Sequence, residues 1–307
     1  MVASFLVMAA LAADLRLGIV GTDTSHVIAF TKILNDPANP EHIPGAKVVA
    51  LYKGGSPDIE SSASRVEGYA KELAEKWHIE VLPEISAMCG KVDAVFLESV
   101  DGRKHLPQFR ELVKCGKPVF IDKPLASTLA DAREIDRLAK QAKVPWFSSS
   151  SLRYATYVTE LAATKPQGAI TWGPGPLEEH HQLDLSWYAV HPIEALYTIL
   201  GPGCEEVTRR VGANADEITC RWKDGRMGTV RALRPYGDYG AVVFLEKTIK
   251  QSPPAPKFSY LSLLKEVIPF FQTGKPPVPN EVTLEMFAFM DAAQRSKAAG
   301  GAPMKLR

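Results

Sequence analysis

At 307 residues, 46% apolar and 23% charged, with a formal net charge of +1, the chain has the balance of a globular protein with room for two domains. That charge offers no basic surface for nucleic acid and no field for an acidic partner. No apolar run reaches the roughly 18 residues that a membrane-spanning helix needs.

The opening segment, MVASFLVMAALAA, is apolar and contains the small-x-small pattern Ala10-Leu11-Ala12 that suits signal peptidase. A signal peptide normally carries Lys or Arg ahead of its apolar run, and none stands here, so a packed N-terminal extension is the alternative. As a signal, residues 1–13 predict an exported or periplasmic protein whose mature chain begins near Ala13; otherwise a cytoplasmic one is expected.

Over residues 14–148, short apolar runs alternate with amphipathic ones. LRLGIV, KVVALY, VDAVFLES and KPVFIDKP predict strands, and HVIAFTKILND, SRVEGYAKELAEKWH, HLPQFRELVKCG and TLADAREIDRLAKQA predict helices between them. Strands this apolar predict a parallel, doubly wound α/β sheet of the Rossmann type, covered on both faces. Its ligand is expected beyond the carboxyl ends of the strands. Over residues 149–307 the elements come in blocks. EITCRWKDGRMGTVRALR predicts a hairpin turning on Lys223-Asp224-Gly225, while YAVHPIEALYTIL and VTLEMFAFMDAAQRSKAAGG predict helices. An α+β second domain with a largely antiparallel open sheet follows. The four cysteines, Cys89, Cys115, Cys204 and Cys220, are scattered without a Cys-x-x-Cys pair, and buried free thiols are expected.

The first strand runs into GTDTSH, where a dinucleotide fingerprint would read Gly-x-Gly-x-x-Gly. Gly21 is present, but Asp23 and His26 stand at the second and third glycine positions. A carboxylate at contact distance from a phosphate is opposed by roughly 4 kcal/mol at intermediate dielectric. Asp23 can instead cap the helix and occupy the amides a phosphate needs, or turn aside while the hydroxyls of Thr22, Thr24 and Ser25 hold the phosphate. At the end of the second strand Lys53 replaces the ribose-reading carboxylate, which favours the 2′-phosphate of NADP over NAD. CGKPVFIDKPLAST places Asp122 and Lys123 at the carboxyl end of a strand, facing the ligand crevice or forming a surface ion pair.

GKPVFIDKPLAST is similar to the Gly-Lys-x-Val-x-x-Glu-Lys-Pro-Leu signature of the Gfo/Idh/MocA family (glucose–fructose oxidoreductase, inositol dehydrogenase, rhizopine catabolism). The resemblance extends to VDAVFLESVDGRKHLPQFRELVKCGK, to SLRYATYVTEL, to SWYAVHPIEALYTILGPGCEEV and to the closing segment from Phe270, and so covers nearly all of residues 15–307. It implies a dinucleotide-binding domain followed by a domain whose open sheet often mediates homo-oligomers. It also implies hydride transfer between NAD or NADP and a carbinol carbon of a sugar or cyclitol. By position, Lys123 polarises the reacting oxygen between nicotinamide and substrate, His191 acts as general acid/base, and His105 and Arg153 enter the substrate pocket.

The chain departs from the family where an Asp is usual four residues before the histidine: Trp187 stands there. Asp184, two helical turns before His191, is the expected replacement, and Trp187 with Tyr188 and His181 the expected substrate contacts. His180 and Asp184 have the i, i+4 spacing of a metal pair, although an extended strand through Glu178-Glu179-His180-His181 would separate them. Three functions follow: an NAD(P)-dependent sugar or polyol oxidoreductase with its cofactor held tightly; a relative with lost or recycled cofactor acting as a carbohydrate lyase or hydrolase; and a non-catalytic carbohydrate-binding protein.

Overall fold

The computed structural model describes residues 13–307; the segment read as a signal peptide lies, but for Ala13, outside the described residues. The first half is a six-stranded parallel sheet in the order β3-β2-β1-β4-β5-β6. Its strands are β1 (Leu15–Val20), β2 (Ala46–Tyr52), β3 (Glu80–Val81), β4 (Ala94–Leu97), β5 (Val119–Ile121) and β6 (Trp146–Ser148). Between them run α1 (Ser25–Asn35), α2 (Glu60–Ala63), α3 (Val66–Trp77), α4 (Gly102–Leu112) and α5 (Leu129–Ala142). Every residue of β4, β5 and β6 is buried, as a sheet covered on both faces requires. The strand order reverses between β1 and β4, so the crevice for a ligand opens at their carboxyl ends.

The second sheet has seven strands in the order β12-β11-β7-β10-β9-β8-β13. They are β7 (Gly168–Pro174), β8 (Cys204–Val211), β9 (Ala215–Trp222), β10 (Met227–Leu233), β11 (Gly240–Phe244), β12 (Ile249–Gln251) and β13 (Met304–Lys305). The expected hairpin is β9–β10, pairing Ala215 with Leu233 through Arg221 with Met227. All its pairings are antiparallel except β10 with β7. Helices α6 (Thr156–Ala163), α7 (Val190–Leu200), α8 (Tyr260–Thr273) and α9 (Asn280–Ala298) complete the chain.

Helix α8 follows the second sheet in sequence yet packs on the first. Leu263, Leu264, Val267, Ile268, Phe270 and Phe271 join Phe30, Phe96, Phe120 and Phe147 in one apolar cluster. The rings meet edge to face, Phe147 on Phe270 at 4.8 Å and Phe96 on Phe271 at 5.1 Å. This returning helix clasps the two halves together and carries Tyr260 to the crevice.

The expectation of free thiols is corrected: Cys89 pairs with Cys115 and Cys204 with Cys220 in two disulfides. The second joins adjacent strands β8 and β9, and the first ties the segment before β4 to the one before β5.

Candidate active site

Gly21, with φ of +93°, ends β1, and a Cβ there would overlap the Ser99 backbone beyond β4. The glycine is required because the β1 and β4 exits touch each other. Thr24, not Asp23, caps α1, its Oγ1 accepting from His26 N at 3.4 Å. Thr22 is buried and its hydroxyl donates to the carbonyls of Val66 and Lys53.

A cavity of about 250 Å³ lies at the carboxyl ends of the strands, lined by Thr24, Ser25 and His26 on one side and by Lys123, Trp187, Tyr188 and His191 on another. Tyr236, Tyr239, Phe258 and Tyr260 close it. The Lys123 Nζ sits 5.7 Å from the centroid of the Tyr188 ring, and no described carboxylate lies within ion-pair distance of it. The lysine and histidine expected to act together therefore share one enclosed space.

His191 is the second residue of α7. Its Nδ1 is 2.7 Å from Ser150 Oγ, which also accepts from Leu152 N at 3.1 Å. With Nδ1 as the one acceptor within reach, the hydroxyl proton goes to Nδ1, and a neutral imidazole then carries its own proton on Nε2; this tautomer is assigned from the network. Burial, reinforced by Lys123, holds His191 well below the usual histidine range, so the ring is neutral at pH 7. Behind it, Glu194 accepts from Ser150 N at 2.7 Å, Ser149 Oγ at 2.8 Å and Arg153 Nε at 2.6 Å. Arg153 thus reaches the cavity only through this chain; it positions Ser150 and the imidazole.

Three other expected residues stand elsewhere. His105 is fully buried, its Nδ1 3.2 Å from Leu125 O. His181 is buried between Asp101 Oδ1 at 3.0 Å and Ser186 Oγ at 3.1 Å, with Trp187 edge-on at 5.4 Å. Asp184 binds Arg209 and Lys297, each at 2.6 Å, because a 3₁₀ turn over Asp184–Ser186 precedes α7 and removes it from the His191 face. The metal pair does not assemble: His180 pairs with Glu178 at 2.5 Å, in a turn rather than a helix. Three side chains do converge instead, His26, Glu98 and Asp122, with His26 Nδ1 2.7 Å from Asp122 Oδ2.

A dinucleotide would lie from the β2 exit, across the β1 turn, to Lys123. The Lys123 end has room. At the other end Asp23 turns its carboxylate inward to Ser62 Oγ at 2.6 Å and Val100 N at 3.1 Å. Ser56 Oγ donates to Asp101 Oδ2 at 2.5 Å, and all four of these side chains are at most 1% exposed. Residues 53–65 are thereby stitched to the β4 exit over the ground where adenosine would rest. Lys53 pairs with Glu67 at 2.8 Å on the surface. The residues present do not fit a dinucleotide in this arrangement.

The six-stranded order, the glycine turn and the lysine at the β5 exit accompany a direct match. Residues 15–149 match the model of an oxidoreductase family with an NAD-binding Rossmann fold, GFO_IDH_MocA. The likeness to the Gfo/Idh/MocA family lies in these residues. YceM of Salmonella typhimurium is 33% identical over 92 residues, and the match spans 30% of this chain and 30% of that relative. Among solved structures, a probable dehydrogenase from Thermotoga maritima superposes with a TM-score of 0.77 at 20% identity, covering 95% of this chain and 99% of its own. The myo-inositol dehydrogenase of Lactobacillus casei, solved with NAD(H) and myo-inositol, gives 0.73 at 17% identity, covering 96% and 97%. At these identities the likeness shows the fold over both halves. No helix among the described residues is long and apolar enough to cross a membrane.

Proposed function

We propose that the chain is an enzyme acting at a hydroxyl-bearing carbon of a small sugar or polyol. His191 Nε2–H donates to the ligand oxygen, which Lys123 Nζ polarises. The observation carrying this reading is the convergence of Lys123, His191, Trp187 and Tyr188 on one cavity of about 250 Å³. That volume is below the ~300–1,000 Å³ of pockets for drug-sized ligands. The indole and phenol present faces to a ring's C–H surface, while Nζ and Nε2 supply donors. A neutral Nε2–H donates a hydrogen bond to the ligand oxygen and, with Lys123 Nζ, stabilises negative charge that develops there. Asp184 has no part in this chemistry, being held by Arg209 and Lys297.

A second reading, an NAD(P)-dependent dehydrogenase of the same ligand class, is supported by the family match and by Lys123 and His191 occupying the family's positions. NAD(P) would supply the hydride acceptor, and residues 54–65 would have to withdraw first.

Two measurements separate these readings. Purified protein, denatured, is assayed for released NAD(H) or NADP(H), and the intact protein is titrated with each. Absence of both release and millimolar affinity removes the dehydrogenase. Incubation with sugars and polyols, followed by NMR of their carbon-bound protons, reports product. His191→Gln and Lys123→Met should each suppress its formation by ~10²-fold or more, and a panel with neither product nor binding would sink the first reading.

Export of the protein is supported by its two disulfides, which persist in oxidising compartments. Homo-oligomerisation through the second sheet is supported by the exposed Met227, Phe244 and Ile249 on its strands; light scattering of the purified protein tests it.

A further inference from the structure

His26, Glu98 and Asp122 come from the exits of β1, β4 and β5, three neighbouring strands of the first sheet. One ligand atom from each lies within 4.8 Å of the other two. Glu98 is 0% and Asp122 1% exposed. Neither Glu98 oxygen has a hydrogen-bond partner, and His26 Nδ1 and both Asp122 oxygens are also outside hydrogen-bond geometry. His26 Nδ1 lies 2.7 Å from Asp122 Oδ2 as an ion-pair contact, so Glu98 is the carboxylate left wholly without a partner. Lys123, next in sequence, forms no ion pair with either carboxylate among the described residues.

Buried carboxylates without partners are rare, because each unmade bond leaves its desolvation uncompensated. Two carboxylates and one imidazole around a divalent cation are, by contrast, electrically neutral and fully satisfied. Their oxygen–nitrogen mixture suits borderline transition ions rather than Ca²⁺ or Mg²⁺, which prefer all-oxygen shells. Three protein ligands also leave coordination positions open, and His26 lines the cavity, so the open side faces the ligand space.

We propose that His26, Glu98 and Asp122 bind one divalent transition-metal cation, Zn²⁺ or Mn²⁺, at the floor of the cavity. Bound there, the ion polarises a ligand oxygen as a Lewis acid beside Lys123. That use rests on the reading of the cavity as a sugar or polyol site, whereas the binding does not. The proposal also gives a reason for His26 at the third position of the glycine fingerprint, where a dinucleotide-binding turn has no side chain.

The test uses the full chain, stripped with a chelator and titrated with Zn²⁺ and with Mn²⁺ by calorimetry, the metal content being measured after desalting. One equivalent of ion is expected, and Glu98→Gln or His26→Asn should weaken it by at least ~100-fold. Glu60→Gln, on the acidic rim of a neighbouring cavity, should leave it unchanged. Metal should raise the melting temperature of the native chain and not that of Glu98→Gln, while the metal-free variant melts no lower than the metal-free native chain. A folded native protein that takes up neither ion, or uptake that both site variants retain, overturns the proposal. Because the readout is metal content, it holds or fails separately from any test with sugars.

Discussion

Asp23→Ala removes the side chain that joins the β1 turn to Ser62 and to the β4 exit. The carboxylate accepts two hydrogen bonds in a fully buried setting, and bonds to a charged acceptor contribute ~1.5–3 kcal/mol each. Truncation also leaves the Val100 N–H buried and unpaired. Against this, the variant is freed of the cost of burying a carboxylate, a cost visible in Asp23 itself: burial pushes its pKa upward more strongly than the Ser62 and Val100 bonds pull it down. The net loss is therefore near the lower end, about 3 kcal/mol, or ~5 °C in melting temperature for a chain of this size. Asp23→Asn keeps an acceptor for Val100 and lets its amide donate to Ser62 Oγ, so it should cost under ~1 kcal/mol. The pH dependence is a second check. A carboxyl whose folded pKa exceeds the unfolded value takes up a proton first in the folded state. The native chain therefore gains on the alanine variant as pH falls from 7 through that folded pKa toward ~4. Thermal melts of the three proteins across this range measure both effects. Equal melting temperatures at neutral pH, or a gap that narrows on acidification, would refute the inward-turned carboxylate and with it the closure of the adenosine ground.

Three further outcomes are expected. By histidine NMR titration the His191 ring should stay neutral well below pH 6, since burial and Lys123 depress it. Below ~6.5 the unfolded chain then binds the extra proton, so this residue's contribution to stability falls with falling pH. Arg209→Met should destabilise by ~3–5 kcal/mol, read as a lowered denaturation midpoint. Arg209 is fully buried and holds both Asp216 and Asp184, leaving Asp184 to Lys297 alone if it is lost. Disulfides spanning sequence separations of 26 and 16 should each contribute roughly 3 kcal/mol by loop-closure entropy. No thiol should react even after denaturation until a reductant is added, and reduced protein should melt lower.

The first domain was legible because its strands are continuous apolar runs and its helices keep a three-to-four period, two patterns that burial on both faces and on one face impose. The disulfides were not legible. Cys204 and Cys220 meet only through the register of β8 on β9, which shifts between Cys204 and Glu206, and spacing carries no trace of that. Helix α8 was missed as a partner of the first sheet because an amphipathic face does not say which sheet it will cover. Lys123 was marked by its charged strand exit and His191 by the family resemblance, and the two line one cavity. Asp184 failed as a partner because the expectation assumed unbroken helix from 184 to 191, whereas a 3₁₀ turn intervenes. Glu98 went unremarked at the end of VDAVFLES, although it is a carboxylate at the exit of a fully buried strand, the same signal that singled out Asp122.

Asp23, His26 and Glu98 act on one another's consequences. In a dinucleotide-binding turn the second and third glycines keep side chains out so that phosphate can approach backbone amides. Here Asp23 turns inward and binds the β2–α3 segment to the β4 exit, and this fills the adenosine end. His26 projects from the α1 start toward β5, and with Asp122 and Glu98 it builds an acidic, nitrogen-bearing floor at the nicotinamide end. A phosphate-bearing ligand is thereby opposed by the filling of the adenosine end, where Asp23 is bonded to Ser62 and Val100. The strand exits that elsewhere present neutral backbone to an anion present ligand atoms suited to a cation. The polyol reading proposed above is checked directly by competition between a polyol and a nucleoside diphosphate for the cavity, followed by the NMR signals of Trp187 and Tyr188. Displacement of the polyol by the diphosphate at equal concentration would overturn it.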